Sequence, residues 1–153
     1  MNDLKLIALD AEDLAVLSAH LQDAVLRVGD MAYLKDERRF AAVANRFDWE
    51  RALKSKGAAE PYARRRAGLR FERVSEAKVS GLDLKAKDTV LSLLAIQFEE
   101  AAAPGGHITL RFSGGGAIRL AVECIEAELK DLGAQWATRH KPKHAAGEPP
   151  DKA

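Results

Sequence analysis

The stretch HITLRFSGGGAIRLAV, residues 107–122, decides the fold class. In its first half Ile108, Leu110 and Phe112 alternate with Thr109 and Arg111, and in its second half Ile118, Leu120 and Val122 repeat the pattern. A period of two is the mark of a strand with one buried face. Gly114, Gly115 and Gly116 lie between the runs and tolerate the positive φ angles of a tight reversal, so the pair reads as an antiparallel hairpin. A dinucleotide-binding glycine loop would need a helix after the glycines, and a strand follows here.

Upstream, Pro104-Gly105-Gly106 is a turn, and residues 89–100 form the most apolar strand. Val90, Leu94, Ile96 and Phe98 share one face of it, with Leu91, Leu93 and Ala95 on the other, so a central strand covered on both sides is expected. Residues 81–88 are a polar connection, residues 75–80 a further or continuing strand, and residues 62–74 are extended with Leu69 and Phe71 on one side. Residues 55–61, with Gly57 and Pro61, read as a mobile loop, and residues 31–35 and 38–49 as a hairpin turning at Asp36-Glu37. In the second arm Val43, Phe47 and Trp49 have one parity and are expected in the core. Residues 4–9 are a lead-in strand or arm, followed by a helix over residues 10–28. Asp10 is its N-cap, Asp13 takes the capping-box position, and Leu9 and Leu14 are spaced as a hydrophobic staple. Leu14, Leu17, Leu21 and Val25 make its apolar stripe, and Gly29 its stop. After the hairpin, Ile125, Leu129 and Leu132 predict a helix over residues 123–132, stopped by Gly133.

The fold class is therefore α+β: an antiparallel, bent sheet of about seven strands, or a partly open barrel, with an N-terminal helix and a C-terminal capping helix. The order strand, turn, strand, helix at the end resembles the closing unit of pleckstrin-homology-like barrels. Residues 1–139 are expected to form one domain, and residues 140–153, without apolar periodicity, a disordered tail.

Length and composition suit this reading. A chain of 153 residues with 47% hydrophobic and 31% charged residues buries a core without staples. Lys and Arg number 24 against 23 Asp and Glu, a net charge of +1, too small an excess for a dedicated nucleic-acid binder. A single cysteine, Cys124, excludes an internal disulfide and a cysteine-rich zinc site. With no secretory signal at Met1 and no membrane-length apolar run, a cytoplasmic location is expected.

No residue set carries a reaction, and neither a metal nor a cofactor is expected. His140 and His144 are four apart, but Pro142 between them breaks the helix a metal pair would need. Cys124, at the start of the expected last helix, reads as core rather than as an activated thiol. The densest feature is cationic. If residues 62–74 are a strand, Arg64, Arg66 and Arg70 share a face while Arg65 points away. Arg38, with Arg39, or Arg46 extends that stripe if the neighbouring strand pairs with it. Guanidinium groups so spaced suit a carboxylate-rich partner or a phosphate. The competing reading is a solvated face balanced by Glu72 and Asp48.

The segments LDAEDL (residues 9–14), NRFDWE (45–50), RRRAGLRF (64–71), GGGAIRL (114–120), VECIEA (122–127) and WATR (136–139) resemble a family of small uncharacterised alphaproteobacterial proteins, a domain of unknown function. The likeness spans residues 4–139 and implies a bacterial cytoplasmic protein, with no activity attached. The functional expectation is a non-enzymatic protein-binding or adaptor module with Arg38, Arg46, Arg64, Arg66 and Arg70 as candidate contacts. One alternative is a small-molecule binder or enzyme whose pocket sequence does not show, and the other is nucleic-acid binding through the arginines.

Overall fold

The computed structural model of the chain describes residues 3–47 and 64–132. Among them one α-helix and nine strands follow in the order β1 (Lys5–Ala8), α1 (Ala11–His20), β2 (Val25–Leu34), β3 (Arg39–Phe47), β4 (Arg64–Phe71), β5 (Val74–Ser80), β6 (Val90–Glu100), β7 (Gly106–Phe112), β8 (Ala117–Val122) and β9 (Ala127–Asp131). The expectations for Trp49, the loop at residues 55–61, the boundary at residue 139 and the tail with His140 and His144 lie outside the described residues.

All strand pairs are antiparallel, in the spatial order β1-β9-β4-β3-β2-β6-β7-β8-β5. The sheet is open, with β1 and β5 as its edges. It turns on β6, whose first residues pair with β2 and whose remainder pairs with β7. The register breaks between Leu93 and Ala95, and the Ile96 amide donates instead to Ser18 Oγ at 2.9 Å, tying the bulge to α1. A bulge adds a residue and reverses the alternation beyond it. Leu91, Leu93 and Ile96 consequently all enter the core, whereas Val90 and Leu94 are 58% and 50% exposed. The expectation of a strand covered on both faces is corrected accordingly.

The hairpin of β7 and β8 forms as expected, with Gly114 and Gly115 at φ 89° and 97° and with Ile108, Leu110, Phe112, Ile118, Leu120 and Val122 buried. The N-terminal helix also forms. Asp10 accepts from the Asp13 amide at 2.8 Å, and Asp13 accepts from the Leu9 amide at 3.1 Å, a reciprocal cap. Leu9 itself is 63% exposed, so no staple closes over Leu14.

Three further expectations are corrected. The helix ends at His20, not Val28. Its apolar stripe is complete with Leu14, Leu17 and Leu21, and the chain turns through Asp23 at φ 67° into β2. Gly29 is no helix stop; it sits in the β2 bulge with its amide on Lys87 O at 2.9 Å, where a Cβ would approach that oxygen to 3.1 Å. The capping helix over residues 123–132 is absent, replaced by a turn and β9, which inserts between β1 and β4. The spacing of Ile125 and Leu129 fits a helix, but it is also two steps of a strand, and Ala127, Leu129 and Asp131 face inward together. Without that helix, and with an open nine-stranded sheet, the likeness to pleckstrin-homology-like barrels finds no support here.

In β3 the parity is opposite to the expected one: Phe40, Ala42, Ala44 and Arg46 face the core, and Ala41, Val43 and Phe47 face out. Phe40 packs on Phe71 of β4 with ring centres 6.4 Å apart.

Candidate functional site: the outer face of β2, β3, β4 and β9

Register and parity determine which side chains share the outer face. Ala32 lies opposite Ala41, Ala41 opposite Arg70, Arg70 opposite Glu128, and Glu128 opposite Ile7. One row along, Val43 lies opposite Gly68, Gly68 opposite Lys130, and Lys130 opposite Lys5. The centre of the face is therefore made of small apolar residues, and longer side chains stand around it. The result is a hollow of about 550 Å³, with Ala32, Ala41, Val43 and Gly68 beneath and Asp30, Arg70, Glu128 and Lys130 around it. Gly68 keeps it open: a Cβ there would meet only Leu132 Cδ2, at 3.9 Å.

Arg64, Arg66 and Arg70 share this outer face, as β4 alternates with Ala67, Leu69 and Phe71 in the core. Their charges are largely engaged within the protein. Arg70 donates to Glu72 and, through Nε at 2.9 Å, to Glu128. The Glu72 hydrogen bond, followed by that of Glu128, raises the Arg70 pKa further despite partial burial. Glu72 also accepts from Arg39 Nε at 2.9 Å, so Arg39 rather than Arg38 adjoins the stripe. Arg64 lies over the Phe47 ring at 5.6 Å and donates to the carbonyl of Asp23 at 3.2 Å. Arg66 is half-buried and lies opposite Asn45.

Two candidates are elsewhere. Arg38 occupies the β2–β3 turn at φ 54° and pairs with Glu123. Arg46 is only 5% exposed, on the core face. It binds Asp131 in a fork, Nε to Oδ1 and Nη2 to Oδ2, both at 2.9 Å. Asp131 Oδ2 also accepts from the Leu4 amide at 2.9 Å, and Arg65 Nη2 stands 3.7 Å away. Burial acts to raise the Asp131 pKa. The Arg46 hydrogen bond, the Leu4 amide and the two guanidinium charges outweigh it and hold the carboxyl below its ordinary value.

Among the described residues no group of three or more His, Cys, Asp or Glu is placed to hold a metal ion, and no helix is long and apolar enough to cross a membrane. Cys124, partly exposed, lies in the turn before β9, so the helix N-terminus that might have activated it does not exist. Sequence reasoning missed Asp30, Glu128, Lys130 and the floor of the hollow. The signal was the run Ala41-Ala42-Val43-Ala44, small on both faces of a strand, opposite Gly68.

A family model described as "Protein of unknown function (DUF2948)" matches residues 4–144 of the chain. No curated protein and no solved structure matches it.

Proposed function

We propose that this chain, which belongs to the DUF2948 family of proteins of unknown function, is a non-enzymatic protein-binding module whose binding surface is the outer face of β2, β3, β4 and β9. The observation that carries the reading is the hollow: an apolar floor open to solvent, with charges of both signs standing around it. Apolar surface left in water is costly, and covering it with a partner's side chains recovers that cost. Arg64, Arg66 and Arg70 belong to the same face and contribute to its polar surround, the arrangement of an interface with an apolar centre. Arg70 serves there as a member of an ion-pair network with Glu72 and Glu128.

The proposal includes a bacterial cytoplasmic setting, in keeping with one unpaired cysteine, Cys124. It also includes a single domain over residues 1–139 with a tail after it.

Gly68→Leu tests the reading. The position has room for a Cβ, so the variant should fold while its side chain fills the hollow. Wild type and variant are used as baits in extracts of the source cells, and the captured proteins are compared by mass spectrometry. Loss of specific partners by the variant is expected. Identical captured sets from two equally folded baits would move the binding surface off this face.

The size of the hollow favours a second reading, because about 300–1,000 Å³ is also the range of small-molecule sites. In that case a metabolite would raise the wild-type melting midpoint and leave that of Gly68→Leu unchanged.

A further inference from the structure

We infer that the partner segment bound in the hollow carries a carboxylate toward β9 and a basic group toward β2, with apolar residues between them; this deepens the protein-binding reading and rests on it. The charges of the surround are arranged to favour such a segment. Lys5 and Lys130 are direct cross-strand partners with both side chains on the outer face. Like charges in that relation repel, and proteins generally avoid it. Glu128, two residues from Lys130 on the same face of β9, is committed to Arg70 at 2.9 Å and reaches Lys5 Nζ only at 3.7 Å. Among the described residues Lys130 has no ion-pair partner, and the same holds for Asp30 on the opposite side. The hollow therefore has an unsatisfied positive side at β9 and an unsatisfied negative side at β2, while the arginine–glutamate network beside it is internally balanced.

Dimensions convert this polarity into a sequence pattern. From β2 to β9 is three inter-strand steps, about 14 Å at ordinary sheet spacing. An extended segment crossing the strands advances about 3.4 Å per residue, so about four residues separate the two charges. Alternate side chains of an extended segment face the same way. With Asp or Glu at position i over Lys130, position i+2 enters the hollow above Gly68 and Val43. Lys or Arg at i+4 then stands over Asp30. An aliphatic residue at i+2 suits that floor.

The experiment selects random nonapeptides displayed on phage against the wild-type protein and measures selected peptides by fluorescence anisotropy. An acidic, x, aliphatic, x, basic pattern should emerge. Lys130→Glu should weaken a selected peptide by about tenfold or more, the scale of one reversed charge contact. Replacing that peptide's acid with Lys should restore binding to the variant. Lys130→Glu places a carboxylate opposite Lys5, so its melting midpoint should be at least that of wild type, which separates misfolding from lost recognition. Peptides that bind, are blocked by Gly68→Leu, and are indifferent to Lys130→Glu would overturn this inference and leave the protein-binding reading standing. No selectable peptide, or peptides indifferent to Gly68→Leu as well, would overturn both.

Discussion

Arg46 shows how a single residue changes what a sequence reveals. In β3, an arginine at the inward parity makes the strand read as if its other side, with Val43 and Phe47, were the core. The residue that resolves the matter, Asp131, is 85 positions away and joins it only through the fold. The pair stands on good geometry: two parallel hydrogen bonds from the guanidinium, with the Leu4 amide donating as well to Oδ2. Asp131→Asn should cost about 3–5 kcal/mol in chemical denaturation, since it removes the carboxylate charge from a buried, two-point ion pair. The pH dependence has a definite sign. The Asp131 pKa is lowered in the folded state, so the unfolded chain holds that proton more tightly. The stability contributed by the pair is complete above the unfolded value of about 3.9 and drains away as pH falls through the folded value. Denaturation midpoints of wild type and Asp131→Asn should therefore differ at pH 7, begin to converge at about pH 4 and meet once pH has fallen through the lowered folded value. A constant difference across that range would remove Asp131 from the acid response.

At the scale of elements, legibility followed locality. The β7–β8 hairpin and the reciprocal cap of α1 were readable because period, turn residues and capping groups lie within a few positions of one another. The end of α1 was not, because Val25 continues the three-four spacing of the helix while Leu26 and Val28 already alternate as a strand. β9 was lost for a related reason: five residues hold barely two inward steps, and one of them is the aspartate that pairs with Arg46. The outer face of β4 was foreseen, but the hollow was not, because its floor comes from three strands whose register no local pattern specifies. Leu129 belongs to the core in either reading. Fully buried, it lies in register between Leu6 of β1 and Leu69 of β4. Leu129→Ala should lower stability by about 2–5 kcal/mol, measured as a shift in urea midpoint at constant slope. An unchanged midpoint would mean that β9 does not bear on the core.

At the scale of the molecule, charge is balanced locally as well as in sum. The net charge is +1, and Arg27, Arg38, Arg39, Arg46, Arg65, Arg70 and Arg73 each have a carboxylate partner. A nucleic-acid surface depends on cations that release counter-ions from phosphate, and paired arginines release few. A fluorescent single-stranded oligonucleotide should accordingly show no saturable binding at about 50 mM salt. Saturable binding that weakens steeply toward about 200 mM would instead assign the Arg64, Arg66 and Arg70 stripe to phosphate recognition. The strand order has a consequence of another kind, for how the chain is made. β9 fills the gap between β1 and β4, yet it is the last of the nine described strands to be synthesised. A ribosome adding about 5–20 residues per second delivers every other strand first, leaving both flanks of that gap as unpaired edges. Until Ala127–Asp131 emerges, β1 has no partner among the described strands and β4 has only β3. Such edges are templates for stray pairing with a neighbouring nascent chain. Completion of the sheet is thus deferred until its last described strand has been made, and a message broken just before codon 127 yields a chain with every described strand but the one that seals it.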